Sequence, residues 1–150
     1  HQRLDLRAET HSDLAGLDGN IAIARGSVIE IGLTGTGNDT LTGNDADNGL
    51  VAGFGTDTVD GGAGNDAIRG GSGNDDLDGE DGFDLVEGGT GDNVIDGGTG
   101  GDLLIGDDVT LGMLTMLYPT WTPPGNAQTL LDDGELWVLW DDILTDTGLA

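Results

Sequence analysis

The chain has 150 residues and a formal net charge of −25, from 29 Asp and Glu against Arg3, Arg7, Arg25 and Arg69. So acidic a chain repels nucleic acid, and with no cysteine it has no disulfide framework. No apolar run approaches the ~20 residues of a membrane-spanning helix, so no transmembrane segment is expected, and the length allows one domain or one with a cap.

Residues 1–33 read as a strand-rich N-terminal segment. Leu4 and Leu6 alternate with polar residues, and Ile21, Ala22, Ile23 and Ala24 follow a Gly-Asn turn, so both stretches are predicted as short strands. The segment lacks the n-region and h-region of a signal peptide and has no initiator Met. The sequence is therefore expected to be a piece of a longer chain.

Residues 34–106 repeat every nine positions. The clearest units are GGAGNDAIR from Gly61, GGSGNDDLD from Gly70 and GGTGGDLLI from Gly97, all of the form G-G-x-G-x-D-x-U-x with U aliphatic. Sixth positions are Asp39, Asn48, Asp57, Asp66, Asp75, Asp84, Asn93 and Asp102; eighth positions are Leu41, Leu50, Val59, Ile68, Leu77, Val86, Ile95 and Leu104. Such a period is the signature of a calcium-binding parallel β-helix of RTX type. Glycine permits the positive φ that a tight turn needs and lets carbonyl oxygens gather at one point, where the sixth-position carboxylate adds a charged oxygen. An all-oxygen donor set suits Ca²⁺, which accepts about six to eight oxygens, better than Mg²⁺, which prefers to keep its water.

One unit reverses the chain, so two units make a coil, and units two apart stack at about 4.8 Å. One stack of turns is then Asp39, Asp57, Asp75 and Asn93, the other Asn48, Asp66, Asp84 and Asp102. Three gaps on each side give about six inter-turn calcium sites, with room for more at the ends. The aliphatic column fills the thin space between two sheets. With 30 glycines and so narrow a core, the region buries too little apolar surface to offset its backbone entropy, so metal binding is expected to drive folding. A solvated or halophilic acidic surface would not hold its carboxylates in register. Counting back nine from Asp39 places Glu30 at a sixth position, facing Asn48. Its neighbours lack the glycines, which leaves a plain surface Glu as the alternative.

The run QRLDLRAETHSDLAGLDGNIAIARGSVIE followed by GTGNDTLTGNDADNGL resembles the C-terminal RTX region of serralysin-type metallopeptidases, over roughly residues 2–106. The resemblance implies secretion through a type I exporter, folding on calcium outside the cell, and a C-terminal signal that stays on the protein. It also implies that Glu30, Asp39, Asp57, Asp66, Asp75, Asp84 and Asp102 are calcium ligands. Glycine carbonyls stand beside them, at Gly35, Gly37, Gly53, Gly55, Gly62, Gly64, Gly71, Gly73, Gly82, Gly89, Gly91, Gly98 and Gly100. Unit two, GNDADNGLV, departs by lacking the second and fourth glycines and by carrying Asn48, while unit seven carries Asn93. Amides donate an oxygen more weakly, so the sites at the ends of the stacks are expected to be the loosest. Unit six has Glu80 and Asp81 where Gly and a variable residue are expected. No H-E-x-x-H occurs, and His1 and His11 cannot form such a zinc site, so no peptidase activity is expected.

Residues 107–150 change character. Asp108 can cap a short helix carrying Leu111, Leu114 and Leu117 and stopped by Pro119; Thr129–Leu131 and Glu135–Trp140 flank Asp132-Asp133-Gly134 as a hairpin. An apolar cap over the open end of the roll is one reading. A ligand or carbohydrate surface on Trp121, Trp137 and Trp140 is another. A third is an export signal, because the acidic-then-aliphatic end from Asp141 resembles the terminus of type I substrates. The predicted fold is all-β: a right-handed parallel β-roll with an N-terminal strand segment and a C-terminal helix and hairpin cap. The expected function is a non-catalytic calcium-folded RTX module of a type I secreted, extracellular protein, with a catalytic domain upstream. The alternative is a structural or adhesive module of a cell-surface or surface-layer protein.

Overall fold

The computed structural model describes residues 1–13 and 21–106, together with Pro124. The Gly-Asn turn at 19–20 and the helix and hairpin expected within 107–150 lie outside these residues. The described strands are β1 (Arg3–Asp5), β2 (His11–Ser12), β3 (Ile21–Ala22), β4 (Ile31–Leu33), β5 (Thr40–Asn44), β6 (Gly49–Phe54), β7 (Thr58–Gly62), β8 (Ala67–Ser72), β9 (Asp76–Asp78), β10 (Asp81–Gly82), β11 (Leu85–Thr90), β12 (Val94–Asp96), β13 (Thr99–Gly100) and β14 (Leu103–Ile105).

Consecutive half-coils alternate between two parallel sheets. The first has the order β1-β5-β7-β9-β12 and the second β14-β11-β8-β6-β4; β10 and β13 form a short ladder of their own. Partners within the repeat are two nine-residue units apart: Leu41 lies beside Val59, Leu50 beside Ile68, and Val86 beside Leu104. Two units therefore make one coil of a β-solenoid, as the period requires. Among the described residues the fold is all-β, with no helix long and apolar enough to cross a membrane.

Side chains alternate across each strand, so the eighth position of every unit points inward. Leu41, Leu50, Val59, Ile68, Leu77 and Val86 are fully buried there, joined by Ala52 and Leu6 and flanked by Leu4 and Ile95. Each contributes about 1.5–3 kcal/mol, against about 1–2 kcal/mol of backbone entropy for each residue ordered, so the aliphatic column alone does not hold nine-residue units in place.

The N-terminal segment departs from the solenoid path. The residue two units before Leu41 is Ile23, yet Leu4 of β1 occupies that place, while β3 turns away to pair antiparallel with β2. The cause is local. Gly32 stands at the eighth position of the preceding unit and has no side chain. Leu4 and Leu6 fill the space, so that a Cβ on Gly32 would lie 3.3 Å from a methyl of each.

Candidate metal centre

The turns between the two sheets carry the buried charge. Asp39, Asn48, Asp57, Asp66, Asp75 and Asp84 are all buried, Asp66 and Asp84 completely, whereas Asn93 and Asp102 at the far ends of the two stacks are half-buried. Each sixth-position side chain is tied to the coil before it. The backbone N–H of Asp39 donates to Asp57 Oδ1 (2.7 Å), Asp57 to Asp75 (2.9 Å) and Asp75 to Asn93 (2.9 Å). On the other side Asn48 donates to Asp66 (2.7 Å), Asp66 to Asp84 (2.8 Å) and Asp84 to Asp102 (3.1 Å). Gln2 N–H completes the first ladder by donating to Asp39 Oδ1 at 2.6 Å.

The ladder uses one oxygen of each carboxylate. The other, Oδ2 of Asp39, Asp57, Asp66, Asp75 and Asp84, is buried with no hydrogen-bond partner. At Asp66, Asp75 and Asp84 a carbonyl oxygen from the next coil faces the same spot. A Cβ built on Gly61 would lie 2.5 Å from Asp66 Oδ2 and 2.8 Å from Gly79 O; on Gly70, 2.6 Å from Asp75 Oδ2 and 2.7 Å from Gly88 O; on Gly79, 2.5 Å from Asp84 Oδ2 and 2.9 Å from Gly97 O. Each first-position glycine is thus kept bare by two converging acceptors. Acceptors converging in a dry site repel unless a proton or a cation lies with them. The carboxyl groups respond accordingly: burial, reinforced by the Asp84 charge, pushes Asp66 up to about 8, and burial, reinforced by Asp102, pushes Asp84 up to about 7. Burial likewise raises Asp57 and Asp75.

The glycines of the second and fourth positions take positive φ at every site named above except Gly35, which lies at the end of the roll with open space around it. Gly73 illustrates the double demand. Its φ is 137°, and a Cβ there would collide with the carbonyl oxygen of Gly55 on the coil before. Unit six breaks the rule at its second position, where Glu80 is held at φ 70° without the glycine that suits it. Unit two has no positive φ. Its Asn44 instead extends β5, accepts from Ala46 N–H (2.9 Å) and donates to the carbonyl of Ile29 (2.6 Å), tying the N-terminal segment to the turn. Asn48 Oδ1 accepts from Asn44 N–H there. Glu30 lies outside the ladder: its side chain is exposed, and its carbonyl accepts from Gly49 N–H.

Sequence reasoning missed a second ladder, at the fifth position. Asn38 Oδ1 accepts from Thr56 N–H (3.1 Å), Asp47 from Asn65 (2.7 Å), Asn65 from Phe83 (3.0 Å) and Asn74 from Asp92 (3.0 Å). It runs opposite to the first, from each coil's backbone to the coil before. The repeated Asn-Asp pair was its visible trace, and reads as a variable residue until the stacking is known.

No group of three or more His, Cys, Asp or Glu side chains converges among the described residues. A cation in these turns would be held by a carboxylate from the stack with backbone carbonyls. That hard-oxygen set, with its orphaned Oδ2 atoms, fits Ca²⁺.

Fold and turns together define a class: a parallel β-solenoid of Gly-Asp nonapeptides with a ladder of buried carboxylates at each side. Within it, this chain belongs to the serralysin C-terminal family of peptidase M10, whose family model (Peptidase M10 serralysin C terminal) matches residues 1–118. That family is the non-catalytic C-terminal domain of these enzymes. The chain is 53% identical to a serralysin of Photorhabdus laumondii over 49 residues, 33% of this chain and 10% of that protein. It is 51% identical to a serralysin of Proteus mirabilis over 49 residues, again 33% and 10%, and 44% identical to the metallopeptidase AprA of Pseudomonas marginalis over 48 residues, 32% and 10%. The matched stretch spans about a tenth of the length of these relatives.

Proposed function

We propose that this chain is a calcium-binding, calcium-folded module of a secreted extracellular protein, the C-terminal part of a serralysin-like protease exported by a type I machinery. The observation that carries the reading is the row of buried Oδ2 atoms without partners, those of Asp66, Asp75 and Asp84 each beside a carbonyl oxygen of the next coil. Bound calcium would supply positive charge to those oxygens. The chain's own residues do the rest. Asp57, Asp66, Asp75 and Asp84 are held by backbone N–H groups so that one oxygen is fixed and the other is left without a partner, in Asp66, Asp75 and Asp84 beside a carbonyl of the next coil. Gly61, Gly70 and Gly79 leave room for both, and the interior excludes water. About six inter-turn positions are available, with Asp102 and the amides Asn48 and Asn93 making the end positions weaker.

Such a domain stays unfolded where calcium is scarce and folds where it reaches millimolar levels, which suits passage through a narrow exporter before folding outside. Isothermal titration of Ca²⁺ into the chelated chain tests the assignment. Several ions per chain bound with midpoints of about 10⁻⁴ to 10⁻³ M are expected. No heat of binding together with a roll already formed in chelator would exclude it.

A further inference from the structure

The nine-residue count lays out about six positions between coils, but the first residue of the unit does not treat them alike. At Asp66, Asp75 and Asp84 that residue is Gly61, Gly70 and Gly79, left bare beside an orphaned Oδ2. In unit one it is Thr34, and in unit three Ala52. Thr34 Oγ1 donates at 2.7 Å to the carbonyl of Ala52, the counterpart in its coil of the Gly79 carbonyl that faces Asp66. Ala52 is fully buried in the aliphatic core, and it carries the Cβ that, built on Gly61 or Gly79, would come within 2.5 Å of the carboxylate. Asp39 and Asp57 keep an orphaned Oδ2 like the others, so the gaps differ in their first position and not in their carboxylate. The amide turns are closed from within. Asn48 Oδ1 accepts from Asn44 N–H (2.8 Å) and its Nδ2 donates to the carbonyl of Ile29 (3.3 Å). Asn93 Oδ1 accepts from Asp75 N–H, which turns Nδ2 toward the spot beside Gly88 where the aspartates present Oδ2; it donates to the carbonyl of Gly89 at 3.2 Å.

We propose that, of the gaps between coils, those that follow Asp66, Asp75 and Asp84 take the metal, and that Thr34, Asn48 and Ala52 close the gaps of the first three units. The first coil and a half is then held by groups of the chain itself. A calcium ion gathers about six to eight oxygens at roughly 2.3–2.6 Å. A gap that holds a methyl, or whose carbonyl is bridged by a hydroxyl, loses that shell. The same end of the roll is the one furnished with protein donors: Gln2 N–H on Asp39, Asn44 Nδ2 on the carbonyl of Ile29, and Arg7 on Asp5. Beyond unit three the first position of each unit is glycine, at Gly61, Gly70, Gly79, Gly88 and Gly97. The inference rests on the calcium reading of the turns and says which of them carry it.

The test is a count of bound ions. Calcium bound per chain is measured on the full chain by equilibrium dialysis and elemental analysis, at calcium levels where circular dichroism reports the folded roll. Ala52→Gly should bind one ion more than the parent chain, although it loses a core methyl; a purely structural role for that methyl would lower stability and add no ion. Thr34→Gly should likewise gain an ion, whereas Thr34→Val, which keeps the gap filled without the hydroxyl, should not. Gly61→Ala should bind one ion fewer. An unchanged count in both Ala52→Gly and Thr34→Gly overturns the proposal, and so does a folded Gly61→Ala that keeps the parent's count. If Gly61→Ala does not fold, the Ala52 and Thr34 variants decide. Calcium bound by the parent with counts that none of these variants moves defeats this inference alone. A roll that forms in chelator and binds no calcium defeats the calcium reading, and this inference with it.

Discussion

Asp5 in the N-terminal segment and Asp66 in the roll are buried to the same degree, 2% and 0% exposed, and their chemistry is opposite. Asp5 is met by Arg7, whose Nε and Nη2 donate to its two oxygens at 2.9 and 2.7 Å, and its backbone N–H donates to Ser12 Oγ. The Arg7 hydrogen bond holds its carboxyl below the ordinary range despite burial. Asp66 has one backbone N–H on Oδ1 and nothing on Oδ2, and its carboxyl rises to about 8. The difference is one of design: the N-terminal segment brings a cation to its buried carboxylate, whereas the one cation of the repeat, Arg69, pairs with Glu87. With no Lys or Arg after Arg69, the stacks depend on a proton or a metal from outside.

The largest expected effect sharpens that contrast through pH. Free Asp titrates near 3.8, while Asp66 and Asp84 reach about 8 and about 7 in the metal-free roll. The roll therefore holds protons that the unfolded chain releases, and its metal-free stability is full below about 4 and falls as pH rises through this window. Ionised Asp66 alone costs on the order of 5 kcal/mol above pH 8. In chelator, the β signal should be greater at pH 5 than at pH 8, and the calcium midpoint should weaken as pH falls. Asp5 has the opposite sign, its contribution being lost on acidification below the ordinary carboxylate range. A metal-free roll that gains nothing at pH 5 would break the contrast.

Substitution within the stacks comes next. Asp66→Ala and Asp75→Ala each remove a carboxylate bordering two gaps and should raise the calcium midpoint about tenfold, or about 1.4 kcal/mol. Asp39→Ala, at the end next to Gln2, should raise it less; equal shifts in the three variants would argue against sites shared between coils. Arg7→Ala leaves buried Asp5 without its main partner and should cost about 1 kcal/mol in thermal unfolding of the calcium-loaded chain. Its calcium midpoint should move far less than that of Asp66→Ala, and a comparable move would mean that the two regions are not distinct. The smallest effect should come from Glu80→Gly. It relieves a positive φ on a non-glycine residue and removes a charge held near Asp78, and should raise the midpoint of the same melt slightly.

The repeat was legible because its physics is local and periodic. A nine-residue period with one inward aliphatic residue leaves a single stacking register, and Leu41 beside Val59 follows directly. The sixth-position columns followed for the same reason. The places where reading stopped share a different cause, since each depends on what lies across a coil and not along the chain. That Leu4 would displace Ile23 beside Leu41 follows from the missing side chain at Gly32, visible only once β1 is laid against β5. The bare first-position glycines Gly61, Gly70 and Gly79 look like turn residues until the carboxylate and carbonyl beside them are placed. Glu30 fits the count of nine, but its turn lacks glycines, and the structure leaves its side chain outside the ladder.

The central claim is that the buried carboxylates of the two stacks take their counter-charge from calcium. A calcium titration at pH 7.5, followed together by far-ultraviolet circular dichroism and by calorimetry, tests it most directly. The account predicts a chain without roll structure in chelator, a cooperative gain of β signal at about 10⁻⁴ to 10⁻³ M Ca²⁺, and several ions bound per chain over the same range. A complete roll in excess chelator at that pH, unchanged when calcium is added, would contradict it.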